Sequence, residues 1–578
     1  MSPLQYHQVI IVGGGLAGLR AAVAVNEMNI QACVISRVHP LRSHTVAAQG
    51  GINAPLGNHP RGRYDTWEKH AYDTIKGSDF LADQDAVIKM TQEASTRIIE
   101  MEHWGCPFNR TTEGKIAQRP FGGAGFPRTC YVADTTGHAL LHTLYEQIIR
   151  FQQAAERREL VLCPEWLVTA LVVEGDECRG VIAMDMTSGK QEAFLGEAVI
   201  FATGGAGRLY ANTTNALIKT GMGMAVPYWA GIPLKDIEFI QFHPTTLFGK
   251  NILISEGARG EGGYLINNKG ERFLANYPDS RKAMEIAPRD IIARNMTREI
   301  QEGRGFDSAY LHLDLRHLGA ERILSKLHGI RTICLDFAGI DPITDPIPVQ
   351  PGQHYTMGGI DCNTACETRL RGFYAAGEAA CVSVHGANRL GGNSLLETLV
   401  FGQIAGENAA KYVQGKAETS QGQRSLDETL KTAEGKVDRL LKSEGRESPS
   451  RIKTELSNLM VQKAGIFRDA AGLKTALQGI KTLQERYRNI GLDHRGRRWN
   501  TALHSTLELE GSLDVAEAVV TGALAREESR GSHYRTDFPK RDDEKWFRHT
   551  LAFYSKEGPR LEYCEVRPGP FKLEERKY

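Results

Sequence analysis

No two cysteines stand as C-x-x-C, and the ten in the chain are scattered. Cys362 and Cys366 are the nearest pair, with no second pair at metal-ligand spacing. The spacing argues against an iron–sulfur cluster or a structural zinc built by this chain alone, so no metal site is expected. So few cysteines do not make a disulfide scaffold, and a reducing compartment is the simplest reading. No run approaches about 18 apolar residues, so no membrane-spanning helix is expected. A strand pattern starts at Val9, leaving no room for a signal or transit peptide. Neither charge is in excess: Lys+Arg is 70 and Asp+Glu is 69. Nucleic acid is therefore excluded as the main partner, because phosphate binding wants a clear basic surplus. Repeats and low-complexity segments are also missing.

What the chain does have is glycine, 60 of 578 residues, against an average of roughly 7%. The glycines follow no triplet period, so collagen is excluded. With 41% hydrophobic and 24% charged residues, disorder is excluded too. Glycine must then serve local needs, tight turns or close backbone approach. At about 150 residues per domain, three to four domains are expected.

Val9 to Val12 read as a buried strand, residues 17–28 as an alanine-rich helix, and Ala32 to Ser36 as the next strand. This is a β-α-β unit of a parallel sheet. Residues 160–201 read as an antiparallel ribbon ending in a strand and T-G-G-A-G. Residues 245–345 read as a mixed insertion, 404–530 as helical, and the tail after Gly531 as polar and aromatic with few regular signals.

Gly13, Gly15 and Gly18 form G-x-G-x-x-G between the strand and the helix, the context a dinucleotide site requires. Such glycines admit a pyrophosphate to the helix N-terminus. The acid usual at the end of the second strand is absent; Ser36 and Arg37 stand there. Next comes R-S-H-T-V-A-A-Q-G-G at 42–51, which puts His44 in a loop leading to Gly50 and Gly51.

That segment resembles the flavin-attachment motif of the succinate dehydrogenase and fumarate reductase flavoprotein family. The resemblance runs through R-T-C-Y-V-A-D-T-T-G-H at 128–138, T-G-G-A-G-R-L-Y at 203–210, Q-F-H-P-T at 241–245 and S-E-G-A-R-G-E-G-G at 255–263. It continues in A-P-R-D at 287–290, H-Y-T-M-G-G at 354–359, H-G-A-N-R-L-G-G-N-S-L-L at 385–396 and R-E-E-S-R-G-S-H at 526–533. These segments cover nearly the whole chain in the family's order.

The resemblance implies FAD bonded covalently through His44. The link would make the flavin a stronger oxidant. It implies FAD contacts at Gly13, Gly14, Gly15, Gly18, Ser36, Arg37, Ser43, His44, Thr45, Gly50, Gly51, Glu378, Ser394 and Leu395. Glu378 could accept hydrogen bonds from ribose or ribityl hydroxyls. For a C4 dicarboxylate, it implies that His243 and Ser255 bind one carboxylate and His354 and Arg389 the other. A planar guanidinium suits that task. Tyr355, beside His354, reads as packing. Arg289 matches the catalytic arginine, moving a proton at one substrate carbon while hydride passes between the other and the flavin. Arginine holds its proton at ordinary pH, so a relay is needed, and Glu256 and Arg259 match it. The implied fold is α/β: a Rossmann-like FAD-binding domain in two pieces (1–242 and 346–415) around an α+β capping domain (243–345). A helical domain (416–530) and a C-terminal segment (531–578) follow. The implied partners are an iron–sulfur subunit and membrane anchor subunits handling quinone, with the chain peripheral on the cytoplasmic face of a prokaryotic membrane. The chain departs from the family at Met222, where T-G-D-G is usual and an aspartate associated with FAD is lost. An L-aspartate oxidase is the alternative enzyme, disfavoured by His44, and a catalytically silent flavin-binding subunit is the alternative class.

Overall fold

The computed structural model describes residues 5–154, 159–416 and 423–577. Strand β1 (Val9–Val12) leads into helix α1 (Leu16–Glu27) and strand β2 (Ala32–Ser36). Both strands are fully buried and, Ser36 apart, apolar, as a sheet covered on both faces demands. Strands β3 (Leu160–Pro164), β4 (Ala198–Phe201) and β5 (Phe373–Ala375) complete a five-stranded parallel sheet in the order β5-β4-β1-β2-β3. Helix α2 (Asn393–Gln414) packs across α1. Gly402 and Gly406 allow this: an added Cβ would come 2.6 Å from Ala17 O and 2.5 Å from Ala21 O.

The ribbon reading of 160–201 needs correction. Leu160–Pro164 pairs in parallel with β2 at the sheet edge, and the antiparallel ribbon starts only at Trp166. Pro164 and Glu165, the latter at φ +65°, break the run between the two strands, but which sheet each strand joins is set by partners elsewhere in the chain.

A second apolar core, including Leu247, Leu265, Phe273, Leu311, Leu313, Ile347 and Val349, lies apart from the first. It sits under an antiparallel sheet of Ile240–Leu247, Ile347–Thr356, Leu311–Asp314 and Tyr264–Ile266. Its two long strands carry the chain into and out of this unit, so their ends lie next to the nucleotide sheet. Helices Pro449–Lys463, Ala470–Tyr487 and Thr501–Ala525 follow.

The tail is more regular than its composition suggests. Arg548–Phe553 and Arg560–Glu565 form an antiparallel hairpin that pairs with Leu234–Lys235. Polar contacts hold it in place. His549 Nδ1 lies 2.6 Å from Asp236 Oδ2 and Nε2 lies 3.1 Å from Asp83 Oδ1. Burial works against the charged imidazole, but the two carboxylates outweigh it and lift His549 to about 9. A raised folded pKa means the contribution is complete below the ordinary value near 6.5 and is lost as pH rises through about 9. Hydrogen exchange in the hairpin should therefore show its opening free energy falling by on the order of 3 kcal/mol between pH 6.5 and 9.5. In His549→Asn this fall should vanish; an unchanged fall would show that another group titrates.

Candidate active site

A cleft runs along the C-terminal ends of the parallel strands, where ligands of open α/β sheets bind. Gly13, Gly14, Gly15, Ser36, Arg37, Ser43, His44, Thr45, Glu378, Ser394 and Leu395 all line it. Helices α1 and α2 begin here, with Gly15 and Gly392 as their N-caps and no side-chain acceptor on either. The first amide of each has an acceptor, Leu16 N on Thr45 Oγ1 and Asn393 N on Leu390 O, both at 3.3 Å, and it is the amides next in line that are open to an anion. Ser43 Oγ and Thr203 Oγ1 line the same cleft, buried and without a protein partner. Buried polar atoms are normally paired, so the residues present fit a phosphate-bearing ligand such as FAD.

Three of the expected FAD glycines lie off the cleft. Gly18 sits beneath the loop, where any Cβ would overlap the Gly13 carbonyl. Gly50 packs under Phe121, and Gly51, at φ +135°, packs against Thr129 and Cys130. Arg119 Nε donates to Gly50 O at 3.1 Å.

His44 opens a short turn (His44–Ala47), and its Nδ1 accepts from the Ala216 amide at 3.3 Å. Burial lowers its pKa to about 4, with the Lys219 ammonium pushing the same way. The imidazole is therefore neutral, with Nε2 as its remaining nitrogen. Glu378, expected to meet cofactor hydroxyls, already accepts from Lys219 Nζ at 2.7 Å and from the Thr356 amide at 3.1 Å. Each of its oxygens keeps one lone pair. Sequence reasoning missed Lys219, which carries no motif of its own.

At the end of the cleft the remaining expected residues converge. Arg289 Nη1 donates to Gln241 Oε1 at 3.2 Å and Arg389 Nη2 to the same oxygen at 3.0 Å. The rings of His243 and His354 lie 5.0 Å apart. His243 Nδ1 accepts from the Thr245 amide at 3.2 Å, and His354 Nδ1 lies 2.8 Å from Thr214 Oγ1. Burial first, then Arg289, holds both imidazoles far below their ordinary pKa. Ser255 Oγ accepts from the Gly257 amide at 3.1 Å, which starts the helix Glu256–Gly260. Its hydroxyl proton remains available to a ligand.

Glu256 lies between two arginines. Its Oε2 accepts from Arg289 Nε at 2.7 Å and stands 4.0 Å from Arg259 Nη2. Oε1 accepts from the Gly122 amide at 2.6 Å. Burial pushes this carboxyl up, but Arg289 and Arg259 outweigh it and keep it below its ordinary range. Arg259 Nη1 donates to Glu285 O at 2.6 Å, while its Nε and Nη2 make no hydrogen bond.

Besides Lys219, two further residues have contacts that the sequence did not show. Gln241 belongs to the Q-F-H-P motif, yet only the fold shows it joining both arginines. Tyr355 does more than pack: its hydroxyl donates to Glu397 at 2.7 Å, and the Arg389 guanidinium lies 4.4 Å from its ring centroid. His385 Nε2 shares the same Glu397 oxygen at 2.9 Å.

The chain is similar to known proteins over nearly its whole length. The FAD binding domain model matches residues 8–395, and the fumarate reductase flavoprotein C-terminal model matches 453–578. A fumarate reductase flavoprotein subunit of Mycobacterium tuberculosis is 44% identical over 97% of both chains. A succinate dehydrogenase flavoprotein subunit of Rickettsia bellii is 43% identical, over 95% of this chain and 93% of that one. Among solved structures, E. coli quinol fumarate reductase superposes with a TM-score of 0.94 at 38% identity, covering 99% of each chain.

Gln241→Leu should leave Arg289 and Arg389 without their shared acceptor. Losing hydrogen bonds to charged groups costs about 1.5–3 kcal/mol. Turnover with succinate or fumarate should fall by about 10- to 100-fold while the flavin content holds. Unchanged kcat and KM would show that Gln241 does not position the arginines.

Proposed function

Because the chain belongs to the family of succinate dehydrogenase and fumarate reductase flavoprotein subunits, we propose that it is the catalytic subunit of a succinate:quinone or quinol:fumarate oxidoreductase, with FAD held covalently on His44. The observation that carries this reading is the meeting of two arginines on Gln241 Oε1, beside two neutral histidines, at the end of a dinucleotide cleft. Positive charge without enough counter-charge, in a buried place, asks for a small dianion.

FAD, when bound, supplies the two-electron acceptor or donor for hydride. The chain's own residues do the rest. His243 and Ser255 take one carboxylate; His354 and Arg389 take the other. The cap, residues 243–345 on this reading, carries Ser255, Glu256, Arg259 and Arg289, so its closure both completes the site and excludes water. Its separate apolar core supports movement as a unit.

Arg289 is the proton carrier. In succinate oxidation it must first give up a proton, and Glu256 Oε2 at 2.7 Å from Nε receives it. Neutral Arg289 then takes a proton from the substrate carbon. Glu256 passes its own proton on past Arg259, whose unpaired Nε and Nη2 leave room for rearrangement. Fumarate reduction runs the same path backwards, so one set of residues serves both directions.

His44 fits covalent attachment. A neutral ring whose Nδ1 accepts from Ala216 presents Nε2 to the cofactor, and that pattern persists once Nε2 is substituted. Electrons must then leave the chain. Among the described residues no group of His, Cys, Asp and Glu could hold a metal, so an iron–sulfur subunit is the next carrier and a membrane anchor handling quinone the last. No helix among the described residues is long and apolar enough to cross a membrane. A peripheral place at the cytoplasmic face of a prokaryotic membrane, held by those partners, agrees with this.

Two experiments test the reading. After acid denaturation, flavin fluorescence should stay with the polypeptide, and His44→Ala should release it; free flavin from the unaltered protein would overturn the covalent link. Arg289→Lys should keep FAD and the dicarboxylate-induced change in the flavin spectrum but lose turnover by at least about 10²-fold. Near-normal turnover would remove Arg289 from its role.

A further inference from the structure

The nucleotide end of the cleft poses a problem of its own. A dinucleotide fold usually places an acid at the end of the second strand to accept from the ribose hydroxyls. Here Ser36 and Arg37 occupy that point, and position 222 carries methionine. Neither Arg37 nor Met222 can act as that acceptor.

A carboxylate nevertheless reaches the place from far along the chain. Glu508, on the helix Thr501–Ala525, lines the same cleft as Gly13, Ser36, Arg37 and the apolar Trp166–Val168 wall. It is only 3% exposed. Arg37 Nη2 donates to Oε2 at 2.8 Å, and Arg37 Nε faces Oε1 at 2.7 Å as an ion-pair contact without hydrogen-bond geometry. Thr220 Oγ1 donates to Oε1 at 3.3 Å. Hydrogen bonds thus use one lone-pair site on each oxygen; the second site of Oε1 faces the guanidinium, and the second site of Oε2 is left.

The helix and the 220 turn are built to fit each other. Ser512 Oγ donates to Thr220 O at 2.8 Å. Met222 packs against Gly511, where an added Cβ would stand 3.0 Å from Met222 Sδ. The turn gives an apolar side chain to the helix, and the helix gives a carboxylate to the cleft. Burial lifts the Glu508 carboxyl above its ordinary range against the pull of Arg37 and Lys453. A hydroxyl donor on the spare lone pair would ease that cost.

We infer that Glu508 is the adenosine-ribose acceptor of the nucleotide site, its free lone pair taking the hydroxyl hydrogen bond that an acid on the second strand would otherwise take. The inference rests on FAD being the ligand of the cleft. It makes a helix of the C-terminal half part of the cofactor site.

The test uses full-length His44→Ala protein, in which FAD binding is reversible. Affinity is measured for FAD and for an FAD analogue lacking the 2′ and 3′ hydroxyls of the adenosine ribose. The His44→Ala protein should prefer FAD by about 10-fold or more, the scale of one hydrogen bond to a charged group. Adding Glu508→Leu should bring the two affinities within about twofold, and adding Met222→Asp to that variant should restore part of the preference. Glu508→Gln, which keeps the shape, should give an intermediate preference and covers the case in which the leucine variant does not fold. If Glu508 served only to anchor Arg37, both ligands would weaken together and the preference would survive, which overturns the inference. Equal affinities in the His44→Ala protein would also overturn it. Failure of that protein to bind FAD at all would instead remove the cofactor reading, and this inference with it.

Discussion

Two guanidinium groups share one amide oxygen at the heart of this molecule, and much of the rest follows from that. Arg289 and Arg389 are both buried and both donate to Gln241. Burial alone makes each charge costly, and each raises the cost of the other. Arg389 feels this most: burial and then Arg289 pull its pKa down to about 9. The surroundings answer without cancelling the charge. Glu256 balances Arg289, the face of Tyr355 lies against Arg389, and both histidines stay neutral. A full set of carboxylates would make the site more stable and useless for a dianion. The positive surplus is stored binding energy.

Such a site needs rigid support behind it, and the abundant glycines supply part of that support. Some line the cleft, as Gly13, Gly14 and Gly15 of the fingerprint loop do. Others solve packing problems that have no ligand in them. Gly402 and Gly406 let α2 press onto α1, which fixes both helix starts at the cleft. Gly511 does the same for the helix that bears Glu508. Close approach of backbone to backbone, as well as of backbone to ligand, explains the excess.

Local physics was legible in the sequence; long-range pairing was not. The strand, glycine turn and helix at Val9 to Glu27 are set by neighbouring residues, and they fold where the pattern puts them. The motif segments carry His44, His243, Glu256, Arg289, His354 and Arg389, and the fold brings these together. Gln241 escaped because its role depends on Arg389, 148 positions away. Lys219 escaped because Glu378 is 159 positions away. The edge strand Leu160–Pro164 was misassigned because its partner is β2, far back in the chain. The tail hairpin pairs locally, Arg548–Phe553 with Arg560–Glu565, but its place beside Leu234–Lys235 depends on a strand far back in the chain.

Those distant pairings have a common direction. The C-terminal quarter of the chain returns to the nucleotide domain again and again, through His549 on Asp236 and Asp83, Arg526 on Glu238 at 2.8 Å, and Glu508 on Arg37. All these contacts are buried or nearly so, and all join groups of opposite charge. Asp236 and Glu238 also sit just before Ile240, where the strand that leads into the second apolar core begins. The tail therefore braces the segment from which the chain enters that core. Buried ion pairs suit this role, since breaking one leaves an uncompensated charge that costs several kcal/mol, roughly 3–5. Directional, costly-to-break contacts at that segment and an unbalanced positive charge at the tip divide the labour: one fixes the frame, and the other waits for the substrate to complete it.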